Sequence, residues 1–286
     1  MIAPAFGVLF DGFAYGMLLF LLSVGLSVTL GMMNFVNLAH GSFAMLGAYV
    51  TVTLMALGWP FLATLPAAFL ITGVTSVAFE RSLFRRLYRA SDLQQVLLTL
   101  GLVFISVAAA AWFYGTMQQP IRLPAYLRTY ATVVGINLSI YRLFLIAVAL
   151  AVTVVLVAAL EYTRFGAQVR AAVDNQRMAQ GLGIDVDLVF AITFALGSGL
   201  AGLGGALAID IVGLDPNFAF TFLTYVLIVV AVGGLGSIRG SLLAAIVLGV
   251  SDAAGKYYVP TIGAFLIYLV MISLLLWRPA GLFGKR

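Results

Sequence analysis

The feature that most limits the fold of this chain is a run of 68 residues, 12–79, without a single Asp, Glu, Lys or Arg. Further charge-free runs cover 93–121, 143–160, 188–209, 216–238 and 257–277. A bilayer core about 30 Å thick needs about 20 apolar residues per helix, so the long run fits three crossings and several of the others fit one. Barrel strands would be short and would alternate polar with apolar residues. The sequence therefore predicts an all-α polytopic membrane protein.

Apolar stretches of this length divide into about eight or nine transmembrane helices. The predicted spans are 12–30, 41–57, 62–80, 94–114, 142–160, 187–209, 218–234, 240–256 and 259–277. The sixth contains GSGLAGLGGALA at 197–208, with small residues four apart. Such spacing lets helix backbones approach closely in a membrane, so this helix is predicted to pack inside the bundle.

The connections between spans carry most of the 15 basic residues. With nine spans, 11 of them fall on one side, in segments 81–89, 164–177, 239 and 278–286. The positive-inside rule makes that side cytoplasmic, with the C-terminus inside and the N-terminus outside. The net charge of +5 thus reports topology rather than nucleic-acid binding. No basic region followed by a cleavage site opens the chain, so we expect no cleaved signal peptide.

Catalysis and metal binding are poorly supported by the residue types present. The chain has no Cys and a single His, and its acids lie mostly at span ends. Asp252 and Lys256, four residues apart, are expected to form an ion pair at a helix end. We expect no enzyme, no metal site and no ion-gradient coupling. No nucleotide-binding motif is present, so active transport would take its energy from another subunit.

The stretch GMMNFVNLAHGSFAMLGAY, 31–49, gathers polar residues inside apolar sequence. It predicts a helix broken near 34–42, because irregular backbone at membrane depth must face protein or a water-filled cavity. The asparagines are expected to satisfy freed backbone groups, and Ser42 or Gly41 to start the next helix. A structural role for the histidine is favoured over substrate contact, and both stay open. The candidate break or pathway residues are Asn34, Asn37, His40, Gly41 and Ser42.

Segment 161–188, EYTRFGAQVRAAVDNQRMAQGLGIDVDL, predicts a short amphipathic helix from Ala167 to Gln180, ended by Gly181 or Gly183. On it Arg170, Asp174 and Arg177 recur at i, i+4 and i+7 and form one charged face. Apolar contacts come from Val169, Ala172, Val173 and Met178. The helix either docks on a cytoplasmic partner or packs under its own bundle, and composition leaves the two even.

These stretches together resemble the permease subunit of bacterial branched-chain amino acid ABC transporters. The matching stretches are GLSVTLGMMNFVNLAHGSFAMLGAY (25–49), RFGAQVRAAVDNQRMAQGLGID (164–185), FALGSGLAGLGGAL (194–207), GGLGSIRGSLLAAIVLG (233–249) and RPAGLFG (278–284). They lie in the family's order along the chain.

The resemblance implies a single transmembrane permease domain, 1–286, in the bacterial inner membrane, with a cytoplasmic coupling segment at 161–186. It implies a second homologous permease, two cytoplasmic ATP-binding subunits that use the ATP, and a periplasmic substrate-binding protein. No cofactor is then needed in this chain. The binding protein would supply the affinity, so we expect no pair of charges here for an amino acid's ammonium and carboxylate. The residues carried over as ATPase-coupling positions are Arg170, Asp174, Asn175, Arg177, Gly181 and Gly183.

Leucine, isoleucine and valine are the substrates that the resemblance implies. Urea, short amides or other amino acids are the alternatives within the same architecture. A stand-alone channel or carrier for small neutral solutes is a separate alternative, and a membrane scaffold is disfavoured. The loop 115–140 is read either as a cap on helix ends or as a docking segment.

Overall fold

The computed structural model describes residues 2–33, 35, 37–88, 90–133 and 136–284. Its helices are α1 Ile2–Met33, α2 His40–Ala56, α3 Phe61–Ser82, α4 Asp92–Tyr114, α5 Ile140–Tyr162, α6 Arg164–Asp174, α7 Gln176–Gly181, α8 Val186–Val212, α9 Phe218–Gly233, α10 Ile238–Tyr258 and α11 Gly263–Trp277. Short 3-10 turns occupy Phe84–Leu87 and Ala125–Leu127. Strands β1 Tyr130–Val133 and β2 Ile136–Ser139 pair antiparallel, with Tyr130 opposite Ser139.

Six of the described helices are long and apolar enough to cross a membrane, judged by length and composition. They are α1, α3, α4, α5, α8 and α10, and shorter apolar helices are α2, α9 and α11. Every predicted span coincides with one of these helices. The prediction of an all-α polytopic membrane protein is confirmed.

Helices α1 and α8 form the centre of the bundle. Within the apolar stretch of each helix, 83% of the residues of α1 and 67% of those of α8 are buried, against 17% for α4 and for α5. Glycines let the central backbones touch: a Cβ at Gly25 would lie 2.0 Å from the Gly197 carbonyl oxygen, and one at Gly205 would lie 1.9 Å from that of Ala44. The predicted tight packing of 197–208 follows from these contacts.

One end of the bundle carries α6 and α7, and we call it the α6–α7 end. The start of α8 reaches the connection after α3 through an ion pair between Asp187 and Arg85. Arg239 bonds Glu161 at 3.0 Å, and the C-terminal tail joins α9 through Leu282 N–H and the Val232 carbonyl, 2.7 Å apart. The described parts of the four basic segments predicted to share one side therefore do lie at one end.

The opposite end carries β1, β2 and the loop before them, and we call it the hairpin end. Gln119 N–H donates to the Leu214 carbonyl at 2.7 Å, just beyond α8. Leu123 and Leu127 are buried in the main core. The loop that follows α4 therefore caps helix ends, as one of its two sequence interpretations expects.

Candidate translocation and coupling sites

The predicted helix break lies between α1 and α2. Helix α1 ends at Met33, whereas His40, the first residue of α2, contacts Leu22 of α1. Leu22 lies eleven residues before the end of α1, about 16 Å along a helix that rises 1.5 Å per residue. Helix α2 thus starts at mid-depth in the bundle and runs toward the hairpin end, where Tyr49 stacks on Tyr114.

His40 fastens the start of α2 to α1. Its Nε2 lies 2.9 Å from the Leu22 carbonyl oxygen, and the side chain is 1% exposed. A carbonyl oxygen can only accept, so Nε2 carries the proton and donates. The contact is of the structural kind that the sequence favoured for this histidine.

The other predicted break residues have distinct surroundings. Asn37 is buried, and its side-chain amide has no hydrogen-bond partner among the described residues, contrary to the expectation that it satisfies freed backbone groups. Asn34 lies outside the described residues. A Cβ at Gly41 would lie 2.2 Å from the Ala219 carbonyl oxygen, so α2 begins against the first turn of α9.

The start of α2 corrects one expectation. Neither Gly41 nor Ser42 begins the helix; it begins at His40, after Ala39, which has no side chain able to cap. Ser42 instead hydrogen-bonds Ser106 of α4, with 2.7 Å between the two Oγ atoms. Contact with a neighbouring helix has replaced the local cap that the sequence suggested.

A cavity of about 690 Å³ opens beside Ser42, between α2, α3 and α4. Its wall is mostly apolar and carries no charged side chain. Hydroxyl groups are its polar component, from Ser42, Tyr49, Thr53, Thr75, Ser106 and Tyr114. Such a wall suits an aliphatic group with a few hydrogen bonds.

Two hydroxyl groups of this cavity differ in their bonding. Thr53 Oγ1 lies 2.6 Å from the Tyr114 hydroxyl oxygen, so that pair is satisfied. The Tyr49 hydroxyl is buried and has no hydrogen-bond partner among the described residues. Sequence reasoning named Ser42 but missed Tyr49, Thr53 and Tyr114, although Tyr49 and Thr53 follow Ser42 at helical spacing in an apolar span.

The predicted coupling helix is in fact two helices. Asn175 has an extended backbone (φ −151°, ψ 97°) that ends α6, and its Oδ1 accepts from Met178 N–H at 3.0 Å to cap α7. Asparagine side chains compete with helical hydrogen bonds in this way, so a continuous helix over 167–180 was the wrong expectation. Arg170 and Asp174 therefore lie on α6, and Arg177 lies on α7.

One face of the α6–α7 pair packs on its own bundle. Val169, Ala172 and Ala179 join a buried cluster with the first turns of α8. A Cβ at Gly166 would lie 2.1 Å from the Leu160 carbonyl oxygen, so α6 abuts the end of α5. Arg170 donates to the same carbonyl.

The opposite face of the pair is exposed. Met178 and Leu182 present apolar surface there, 66% and 78% exposed, and the exposed Val173 lies at its edge, where it also borders a cavity with Gly31 of α1. Each carried-over coupling residue is also exposed: Arg170, Asp174, Asn175, Arg177, Gly181 and Gly183. Gly183 takes a φ of +82°, which glycine adopts without strain, and turns the chain toward α8. Packing on the bundle is therefore confirmed for the inner face, and docking of the exposed face on a partner stays a prediction.

The expected ion pair between Asp252 and Lys256 is confirmed. Lys256 Nζ lies 2.6 Å from Asp252 Oδ2 at the hairpin end of α10. The carboxylate is buried, whereas the ammonium is exposed.

An apolar helical bundle with a cavity between α2, α3 and α4 and an exposed amphipathic segment at one end is typical of a multi-pass membrane transport subunit. The chain belongs to the family described as branched-chain amino acid transport system / permease component, whose model matches residues 8–275.

Curated relatives cover nearly the whole chain. The high-affinity branched-chain amino acid transport system permease protein LivH of Escherichia coli K12 is 27% identical over 97% of this chain and 94% of its own length. Its counterpart BraD of Pseudomonas aeruginosa is 25% identical over 97% of this chain and 95% of its own length. A probable branched-chain amino acid transport permease protein LivH of Methanocaldococcus jannaschii is 30% identical, covering 94% and 90%. No solved structure matches the chain.

Proposed function

We propose that this chain is the membrane-spanning permease subunit of an ABC importer for leucine, isoleucine and valine. In this proposal residues 1–286 form one permease domain, a periplasmic binding protein delivers the substrate, and two cytoplasmic ATPase subunits hydrolyse the ATP. The chain itself is then not an enzyme and holds no cofactor. The observation that carries the proposal is the exposed amphipathic face of α6 and α7 on a bundle that has no nucleotide motif.

Docking at that face has a physical basis in the side chains it presents. Apolar Val173, Met178 and Leu182 supply area to bury, and the charges around them set the register of a partner. In this proposal an ATPase subunit occupies the face within segment 161–186. The substrate pathway remains an inference of the same kind for Asn34, Asn37, His40, Gly41 and Ser42.

Movement of α6 has a direct route to the break between α1 and α2. Helix α6 contacts α1, and Arg170 and Asp174 line a cavity of about 520 Å³ with Gly31 of α1 and Gly236 of the α9–α10 connection. A shift of α6 driven by the ATPases would therefore reach Gly31, two residues before α1 ends at the break. The cavity between α2, α3 and α4 begins on the other side of that break.

The proposal also fixes orientation and partners. The α6–α7 end with its basic segments is cytoplasmic, as is the C-terminus, in a bacterial inner membrane. A second homologous permease stands beside this one in the bilayer. The aliphatic wall of the 690 Å³ cavity suits the side chains of leucine, isoleucine and valine better than it suits urea.

Reconstitution tests the proposal. The complex that purifies with this chain should import labelled leucine into proteoliposomes only with ATP and a binding protein, and labelled urea should not enter. The isolated chain should hydrolyse no ATP and move no substrate. Gradient-driven flux through the isolated chain, insensitive to ATP, would instead support a channel or carrier. ATP-driven import of urea or short amides would keep the architecture and change the substrate.

A further inference from the structure

A second cavity, of about 560 Å³, lies at the hairpin end of the bundle. Its wall comes from the first halves of α1, α5 and α9 and from the last turns of α8 and α10. Two of the four ion pairs among the described residues face it: Asp11 with Arg142, and Asp252 with Lys256. The other two pairs lie at the α6–α7 end.

Charge is scarce in this protein, which makes the convergence informative. Only 9% of residues are charged, and the helices that supply these four are otherwise almost free of charge. The Asp252 side chain is 5% exposed, and burying a carboxylate is costly unless it is well compensated. Its partner, Lys256, is 56% exposed. The pair of Asp11 with Arg142 is largely exposed and adds little to stability, and the desolvation of Asp252 offsets much of the attraction to Lys256. Stability alone therefore explains the arrangement poorly.

The rest of the wall completes a site with three kinds of surface. The Tyr15 ring lies 5.6 Å from Lys256 Nζ, a position in which an aromatic face attracts an ammonium. Val8, Ile211 and Val212 supply apolar wall, and Thr221 supplies a hydroxyl. Cation, anion, aromatic ring and aliphatic surface therefore border one space.

We propose that this cavity binds an α-amino acid as its zwitterion, with the Arg142 guanidinium holding the α-carboxylate and the Asp252 carboxylate holding the α-ammonium. The apolar wall takes the side chain. The inference rests on the proposed function, because it assumes that amino acids are the cargo. It also replaces the sequence-based expectation that the chain has no charged pair for a zwitterion.

Binding of the zwitterion exchanges partners at small cost. Arg142 leaves Asp11, whose side chain is 43% exposed, and Asp252 leaves Lys256, which is more exposed still. The two displaced charges are the ones that water can solvate, so they lose little when unpaired. Arginine offers two parallel N–H donors to a carboxylate, a geometry that favours the α-carboxylate over a point charge.

The two cavities divide recognition between them. The cavity between α2, α3 and α4 has no charged side chain to pair with the ionic groups of an amino acid. The hairpin-end cavity can, and in the proposed orientation it faces the side on which a binding protein releases its cargo. It is thus a receiving site ahead of the apolar path.

Saturation-transfer NMR on the complex purified from membranes tests this site without ATP or a binding protein. Leucine should show saturation transfer from the protein. Two analogues should bind about tenfold more weakly: 4-methylpentanoate, which lacks the ammonium, and 3-methylbutylamine, which lacks the carboxylate. Arg142→Gln and Asp252→Asn should each weaken leucine binding by about tenfold or more. Arg85→Gln, which removes the ion pair to Asp187 at the opposite end, should leave it unchanged.

Several results would overturn the site. They are absence of leucine transfer in the wild-type complex, equal binding of the single-charge analogues, and unchanged leucine binding in both hairpin-end variants. The double variant Asp11→Arg with Arg142→Asp exchanges the two charges. If it binds leucine normally, the ion pair of Asp11 with Arg142 is purely structural. Loss of binding-protein association with leucine transfer intact would show a docking surface instead.

Two further measurements keep the outcome clear. If Asp252→Asn prevents assembly, Arg142→Lys keeps the charge without the paired donors, and it should still weaken leucine binding. ATP-driven leucine uptake is measured in parallel. A wild-type complex that imports no leucine contradicts the proposed function, whereas normal uptake and leucine binding in the hairpin-end variants contradict only this site.

Discussion

The imidazole of His40 donates from Nε2 to the Leu22 carbonyl oxygen, 2.9 Å away. Both residues are buried. That carbonyl is in the middle of α1, so the bond sets how deep α2 begins. The lone histidine of the chain therefore holds the start of α2 against α1.

His40→Ala should weaken the bundle. It removes a buried hydrogen bond and leaves space between α1 and α2, at a cost of about 1–3 kcal/mol. We expect a lower unfolding temperature of the detergent-solubilised complex and less assembled complex in membranes. Normal assembly combined with altered leucine uptake would contradict this and place the histidine on the substrate path.

Gly205→Ala should be more damaging than its size suggests. The added Cβ would lie 1.9 Å from the Ala44 carbonyl oxygen, a backbone atom that cannot move aside, so α2 and α8 must separate. Overpacking of this kind costs about 1–3 kcal/mol. The unfolding temperature should fall accordingly. Gly101→Ala is the matched control in α4, where a Cβ meets nothing within 4 Å, and it should be neutral or slightly stabilising.

Helix positions were predictable because charge-free runs and bilayer thickness together fix them. Small residues four apart in 197–208 likewise indicated a central helix. The level at which α2 begins was not predictable, because it depends on one bond from His40 to a carbonyl 18 positions earlier. The hairpin-end cavity escaped notice because Asp11 and Arg142 lie far apart in the sequence, on α1 and α5, and meet only in the folded bundle.

Asn175 shows which local signals carry more information than periodicity. The charge spacing of Arg170, Asp174 and Arg177 favoured one helix, yet Asn is a poor residue for a helix interior and a good one for a cap. Reading the Asp174–Asn175 pair as a break would have given the observed α6 and α7.

Asn175→Ala should loosen α7. It deletes the acceptor for Met178 N–H and costs about 1 kcal/mol of local stability. Amide hydrogen exchange over 176–183 should quicken, and ATP-driven uptake should fall while insertion persists. Asn175→Asp and Asn175→Ser preserve a capping oxygen and should restore both properties. Unaltered exchange in the alanine variant would show that packing alone holds α7.

Tyr88 gives a pH-dependent prediction outside the membrane-spanning segments. Its hydroxyl donates to buried Glu80 at 2.7 Å, and burial together with this hydrogen bond raises the pKa of the Tyr88 phenol above its ordinary value of about 10. The folded state then keeps the proton that the unfolded state releases. The stabilising contribution is complete below about pH 10 and is lost as pH rises toward the raised pKa.

Tyr88→Phe should therefore lower the free energy of unfolding near neutral pH by about 1–3 kcal/mol, and the unfolding temperature with it. The fall of the unfolding temperature at alkaline pH should be less steep in this variant than in the wild type. Unfolding scans at about pH 8 and about pH 11 measure both effects. Tyr162→Phe is the control, because that side chain is 82% exposed. An alkaline decline as steep in Tyr88→Phe as in the wild type would rule out this source of pH dependence.

Arg177→Glu should uncouple the ATPases from transport without harming the bundle. Arg177 is exposed on α7 beside Met178, and no described residue forms an ion pair with it, so charge reversal affects docking alone. We expect co-purification of ATPase subunits and leucine uptake to fall about tenfold or more, with the unfolding temperature unchanged.

Arg170→Glu and Asp174→Arg should also uncouple the ATPases from transport. Arg170→Glu should in addition lower stability, because Arg170 bonds the Leu160 carbonyl. Arg122→Glu makes the same charge change on the exposed hairpin end and should leave ATPase co-purification intact. Wild-type co-purification and uptake in Arg177→Glu would show that α7 is not a docking element.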